Sequence, residues 1–168
     1  WRARIISPGS IRPNANMVRT DAASDNAPCG AYRRGGVVQL APHFVVEEKA
    51  LEGIRAAREA WETTDLRARL MRYHGDQTDD VFFAWSDRWL SPEFREWDIT
   101  ASMARVEVPT LLIQGEDDQY GTLLHFELAR RVARCHLDEV VLPGVGHSPH
   151  LDAPEQTTKA VARFIESL

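Results

Sequence analysis

Three short apolar runs constrain this chain most: residues 37–40 (VVQL), 110–114 (TLLIQ) and 140–142 (VVL), closed by Pro42, Gly115 and Pro143. A strand that is apolar along its whole length has both faces buried, the condition of a strand inside a parallel sheet. Parallel strands need a crossover between them, and the segments that separate these runs carry a helical period. From Gly36 the order is strand, helical insertion, strand, helix, strand, helix. That alternation is an α/β layer.

The helices are read from spacing. In EEKALEGIRAAREAW, Leu51, Ile54, Ala57 and Trp61 recur at intervals of three and four and share one face. TTDLRARLMRYHG opens on a Thr/Asp cap, aligns Leu66, Leu70 and Tyr73, and stops at Gly75. DDVFFAWSDRWL places Val81, Trp85 and Trp89 at successive i+4 positions, and SPEFREW reads as a helix with Ser91 as N-cap and Pro92 in its first position. Downstream, GTLLHFELARRVARC is amphipathic, and PEQTTKAVARFIESL puts Val161, Phe164, Ile165 and Leu168 on one apolar face.

Residues 1–35 differ in character. Pro, Gly, Asn, Ser and Arg dominate there, no apolar period is sustained, and only RARIISP reads as a short strand. The segment is expected to be irregular, with the folded domain occupying residues 36–168. At 43% apolar and 27% charged residues, the 168-residue chain has the balance of one globular domain. Its net charge of −5, with Lys and Arg dispersed, lacks the basic footprint of a nucleic-acid or anionic-membrane binder. Cys29 and Cys135 are too far apart in sequence to suggest a disulfide framework or a zinc knuckle, which fits a reducing, cytoplasmic setting. There is no run of about 20 apolar residues to span a bilayer and no signal-peptide pattern. The chain opens on Trp1 rather than Met, which fits a missing upstream segment.

Two polar clusters follow the second and third runs, at the carboxyl ends where open parallel sheets meet their ligands. GEDD follows residues 111–114, and GVGHSPH follows the VVL run. An aspartate at one strand end can orient a histidine at another. Its carboxylate accepts a hydrogen bond from one ring nitrogen, fixes the tautomer, and leaves the other nitrogen to take a proton from a nucleophile. Glu116 and Asp117 read as solvated turn residues that cap the next helix.

VPTLLIQGEDDQYGT, followed by VVLPGVGHSPHLDAPEQTTKAVARFI, resembles the C-terminal part of an α/β-hydrolase. The resemblance covers about residues 36–168. It implies a partial α/β-hydrolase fold, parallel strands with flanking helices and an inserted helical cap at about residues 47–105. The family's triad acid lies in a G-x-x-D turn, which lands on Asp118. Its base lies in a G-H-x-x-x-x-x-x-P-E loop, which lands on His147, with Pro154 and Glu155 opening the last helix. GVVQLAPHFVVEE resembles the strand that leads into the cap.

The family's nucleophile sits in a G-x-S-x-G elbow, and the chain has no such motif. Ser7 and Ser10 in SPGS lack the elbow glycines, and Ser24 precedes Gly36 by too few residues for the intervening helix. The oxyanion-hole donors that accompany the nucleophile are missing with it. The resemblance therefore implies a Ser-His-Asp hydrolase of ester or related acyl bonds, acting through an acyl-enzyme without a cofactor, whose serine is not evident here. The alternative is a non-catalytic, truncated remnant.

His147, His150 and Asp152 are of metal-ligand type, but Pro149 breaks any helix that would align them, so no metal site is expected. His43, after the first strand, and Trp85 and Trp89, in an aromatic-rich cap with Phe82, Phe83 and Trp97, are the substrate-binding candidates, with a small-molecule acyl substrate as the expected partner. A structural imidazole is the other reading of His43. Three parallel strands without central neighbours leave an unpaired edge, so self-association, or pairing with a missing N-terminal fragment, is expected.

Overall fold

The computed structural model describes residues 17–21 and 35–168. The strand expected in RARIISP, and Ser7, Ser10, Ser24 and Cys29, lie outside the described residues. The chain forms two compact units: Val45–Asp98, and a unit that runs to Phe44 and resumes over Ile99–Leu168.

The discontinuous unit holds a four-stranded sheet in the order β1 (Met17–Asp21), β2 (Gly35–Leu40), β3 (Thr110–Gly115) and β4 (Leu137–Leu142). β2, β3 and β4 are mutually parallel, as the apolar runs require. β1 is a correction to the sequence reading, which gives residues 17–21 no regular structure. It pairs antiparallel with β2, Met17 opposite Gln39 and Asp21 opposite Gly35. The cause is tertiary: the backbone of β2 needs a partner on that edge, and ladder bonds are made by main-chain groups of any sequence.

Alternation along β3 divides the core. Leu111 and Ile113 point to one face, with Val38, Leu142, Val145 and Phe164, whereas Leu112 points to the other, with Phe44, Met103, Phe126 and Ala129. The first face is covered by α7 (Pro154–Glu166), preceded by the single turn α6 (Pro149–Asp152). The second is covered by α4 (Thr100–Met103) and α5 (Leu124–Val132). Every residue of β3 is buried, and each fully buried Leu or Ile contributes about 1.5–3 kcal/mol relative to exposure. β4 starts at Leu137 rather than at Val140. Asp138 and Glu139 hide its beginning from an apolar pattern, and Glu139 meets Arg130 at 2.8 Å on its partly exposed side.

The unit Val45–Asp98 is helical: α1 (Glu48–Thr63), α2 (Leu66–His74), α3 (Thr78–Leu90) and a short 3-10 turn at Pro92–Phe94. Leu51, Ile54 and Trp61 are buried from α1, and the Trp61 ring stacks on Phe82 at 4.1 Å. Three local expectations are corrected. The buried face of α3 is Thr78, Phe82, Ser86 and Trp89, not Val81, Trp85 and Trp89, because the neighbour that packs on the helix, with Trp61 of α1 stacked on Phe82, selects the face. α2 buries no residue, and Tyr73 is 83% exposed. The helix expected over SPEFREW is a single 3-10 turn. Ser91 does stand at its N-cap position with Pro92 in its first turn, as expected, but the Ser91 hydroxyl donates back to the Arg88 carbonyl at 3.0 Å instead of capping, and Phe94, stacked on Trp97 at 5.2 Å, ends the turn. Among the described residues no helix is long and apolar enough to cross a membrane.

Candidate active site

β3 and β4 end on the same rung, Gly115 opposite Leu142. Side chains just beyond those two ends are therefore neighbours, although the residues are far apart in sequence. The turn after β3 is stitched to the loop after β4 by its backbone: Glu116 N–H donates to the Leu142 carbonyl at 2.9 Å, and Asp117 N–H to the Val145 carbonyl at 3.0 Å. This corrects the expectation that Glu116 and Asp117 cap the next helix. That helix starts only at Leu124, whose N–H is taken by Thr122 Oγ1 at 3.1 Å. Gly115 permits the crossing, since a Cβ there would lie 2.0 Å from the Val145 carbonyl oxygen.

Asp118 has no exposed surface, and its carboxylate is surrounded by donors. Tyr120 N–H and Gly121 N–H reach Oδ1 at 2.8 and 3.2 Å, and Gln114 Nε2 reaches Oδ2 at 2.9 Å. His147 Nδ1 lies 3.0 Å from Oδ1 and 2.9 Å from Oδ2. Burial is the largest influence on this carboxyl and pushes its pKa up. The hydrogen bond and charge of His147, with the two backbone N–H groups, outweigh burial and hold it below the ordinary value. A carboxylate only accepts, so Nδ1 of His147 carries the proton and Nε2 of the neutral ring is the acceptor. The His147 side chain remains 26% exposed.

The loop that carries His147 is fixed at both sides of the ring. His147 N–H donates to Gln119 Oε1 at 3.3 Å, and Gly146 N–H to Asp152 Oδ2 at 3.2 Å. The Tyr120 ring stands edge-on to the imidazole at 4.9 Å. Asp152 thus holds the loop by a backbone bond, and among the described residues no three of His, Cys, Asp and Glu are grouped so as to hold a metal ion.

His43 joins this group from the end of β2. Ala41 turns the chain there with φ of 46°, its N–H still bonded to Ile113 O at 2.8 Å. The His43 ring is 5.5 Å from that of His147 and 4.7 Å from that of His125. His125, fully buried in α5, accepts the Phe44 N–H on Nδ1 at 3.1 Å. His43, Asp118 and His147 are therefore brought together. Trp85 and Trp89 belong to the unit Val45–Asp98, where Trp89 packs on Phe94 at 5.2 Å and Trp85 lies 5.8 Å from Phe82. Sequence reasoning missed Gln114, Gln119, Tyr120 and His125. Only Gln114 left a signal, as a polar residue closing an otherwise buried strand.

The comparisons with known proteins agree on one fold. The chain resembles NosK from Streptomyces actuosus at 23% identity, with a TM-score of 0.60 over 79% of this chain and 58% of that one. A serine hydrolase involved in carbazole degradation gives 18% identity and a TM-score of 0.57 over 79% and 54% of the two chains. An esterase from a Rhodococcus species gives 17% and 0.52 over 79% and 56%. The chain spans a little over half the length of these structures. No curated protein matches its sequence. A family model described as the alpha/beta hydrolase family matches residues 6–160, which takes in most of the stretch before Gly36. With that match over most of its length, and a parallel sheet whose strand ends join Asp118 to His147, the chain belongs to the α/β-hydrolase family.

Proposed function

We propose that Asp118 and His147 are the acid and base of a hydrolase site for an ester or related acyl bond. The observation that carries this reading is the hydrogen bond of 2.9 Å between a fully buried carboxylate and a partly exposed imidazole. In the proposed reaction, Nε2 of His147 takes the proton of a serine nucleophile as it attacks the acyl carbon, then returns it to the leaving group. Asp118 holds the tautomer and stabilises the imidazolium. The serine is not evident in this chain, and no cofactor takes part. His43, beside His147, is proposed to contact the acyl substrate.

The test is labelling of the purified chain by a fluorophosphonate probe, together with turnover of p-nitrophenyl acetate. His147→Ala and Asp118→Asn are expected to lower both by at least about a hundredfold. Turnover that survives both substitutions unchanged refutes the assignment. A second reading, a non-catalytic member of the family, is favoured by the absence of a G-x-S-x-G elbow. It requires that the probe label nothing in the unaltered chain.

A further inference from the structure

Gln114 is 1% exposed in a strand whose every residue is buried, a place where an apolar side chain would be favoured. Its Oε1 has no hydrogen-bond partner among the described residues, an arrangement that opposes folding. What the carboxamide does make is the 2.9 Å bond from Nε2 to Asp118 Oδ2, the oxygen that also lies 2.9 Å from His147 Nδ1. Turning the amide over would set its carbonyl against a carboxylate, acceptor facing acceptor, so the orientation is fixed. Gly121 leaves room for this, because a Cβ there would lie 3.1 Å from Gln114 Nε2 and 3.3 Å from His43 Cε1.

The carboxylate is consequently held from two sides. Oδ1 is gripped by the turn, through the N–H groups of Tyr120 and Gly121, and Oδ2 by the strand, through Gln114. We propose that Gln114 is a positioning residue for the Asp118–His147 pair, its side chain fixing the rotation of the carboxylate so that both oxygens face His147 Nδ1. It acts through Asp118. The inference rests on the reading of Asp118 and His147 as acid and base. Without Gln114 the fixed backbone anchors act on Oδ1 alone, only the partly exposed His147 ring still faces Oδ2, and the group turns more freely about its Cβ–Cγ bond.

The experiment is NMR of the whole chain with 15N-labelled histidine. The low-field Nδ1–H resonance of His147 is identified by its loss in His147→Ala, and its exchange with water and its pH dependence are followed. Gln114→Met keeps the length and bulk of the side chain without the donor. The expected result is Nδ1–H exchange at least about tenfold faster, with an upfield shift, while the resonances of β3 stay in place. Gln114→Glu retains the shape and, while protonated, a donor. It is expected to match the unaltered chain at low pH and to lose the resonance as the introduced carboxyl ionises beside Asp118. A resonance with unchanged exchange and unchanged pH dependence in both variants overturns the positioning role alone. If the unaltered chain shows no such resonance for His147, the acid–base reading fails and the inference falls with it.

Discussion

Nδ1 of His147 lies 2.9 Å from Oδ2 of Asp118, a carboxylate without solvent exposure that belongs to a different strand end. The contact follows from the sheet: because Gly115 and Leu142 share a rung, the turn that bears the acid and the loop that bears the histidine leave it side by side. Packing does the rest, with Gln114, Tyr120 and Gly121 closing around the carboxylate so that its charge is hydrogen-bonded instead of hydrated.

This arrangement makes stability depend on pH with a definite sign. The Asp118 carboxyl is raised by burial, yet lowered overall by His147 and the backbone N–H groups, so the folded chain binds its proton less readily than the unfolded chain. Its contribution is fully present above the ordinary carboxylate value of about 3.9 and is lost as pH falls through the lowered folded value. Asp118→Asn is expected to destabilise the fold by about 1–3 kcal/mol near neutral pH and by much less in acid. Urea midpoints of the two proteins at neutral and acid pH check this, and an equal gap at both contradicts it.

Gly115→Ala is the severest small substitution. Its Cβ would meet two carbonyl oxygens, at 2.0 Å from Val145 and 2.3 Å from Gly146, and the Val145 carbonyl cannot retreat without breaking its bond from Asp117 N–H. The expected loss is about 3 kcal/mol or more, with faster amide exchange at Glu116 and Asp117. A variant as stable as the unaltered chain would show that the crossing is looser than this geometry.

Ser86→Ala is expected to act in the opposite sense. The Ser86 hydroxyl is fully buried in α3 and has no hydrogen-bond partner among the described residues. Deleting it removes an unmet polar group and improves helix propensity, so the urea midpoint should stay level or rise by up to about 1 kcal/mol of stability. A drop of that size would reveal a partner for the hydroxyl.

Two apolar substitutions separate core from surface. Leu112→Ala empties a position with 0% exposure between β3 and α5 and is expected to cost about 2–5 kcal/mol. Tyr73→Ser, on a helix that buries nothing, is expected to change stability by no more than about 0.5 kcal/mol. Denaturant unfolding of both variants decides, and a large effect at Tyr73 would mean that α2 packs in solution against something it does not touch here.

The sequence by itself determined the parallel α/β layer, the order of its elements and the two strand ends that carry Asp118 and His147. Apolar runs, helical periods and the glycine and proline stops are local properties, and burial on both faces leaves a strand little choice of residue. Helix phase in α3, the exposure of α2 and the strand β1 were not legible, because each depends on which neighbour covers a face or an edge. The same holds for Gln114, Tyr120 and His125. Only tertiary structure decided that a glutamine of β3 meets the acid and that a buried histidine of α5 lies against His43, since hydrogen bonds and ring contacts are set by the space between elements, to which spacing along the chain is blind.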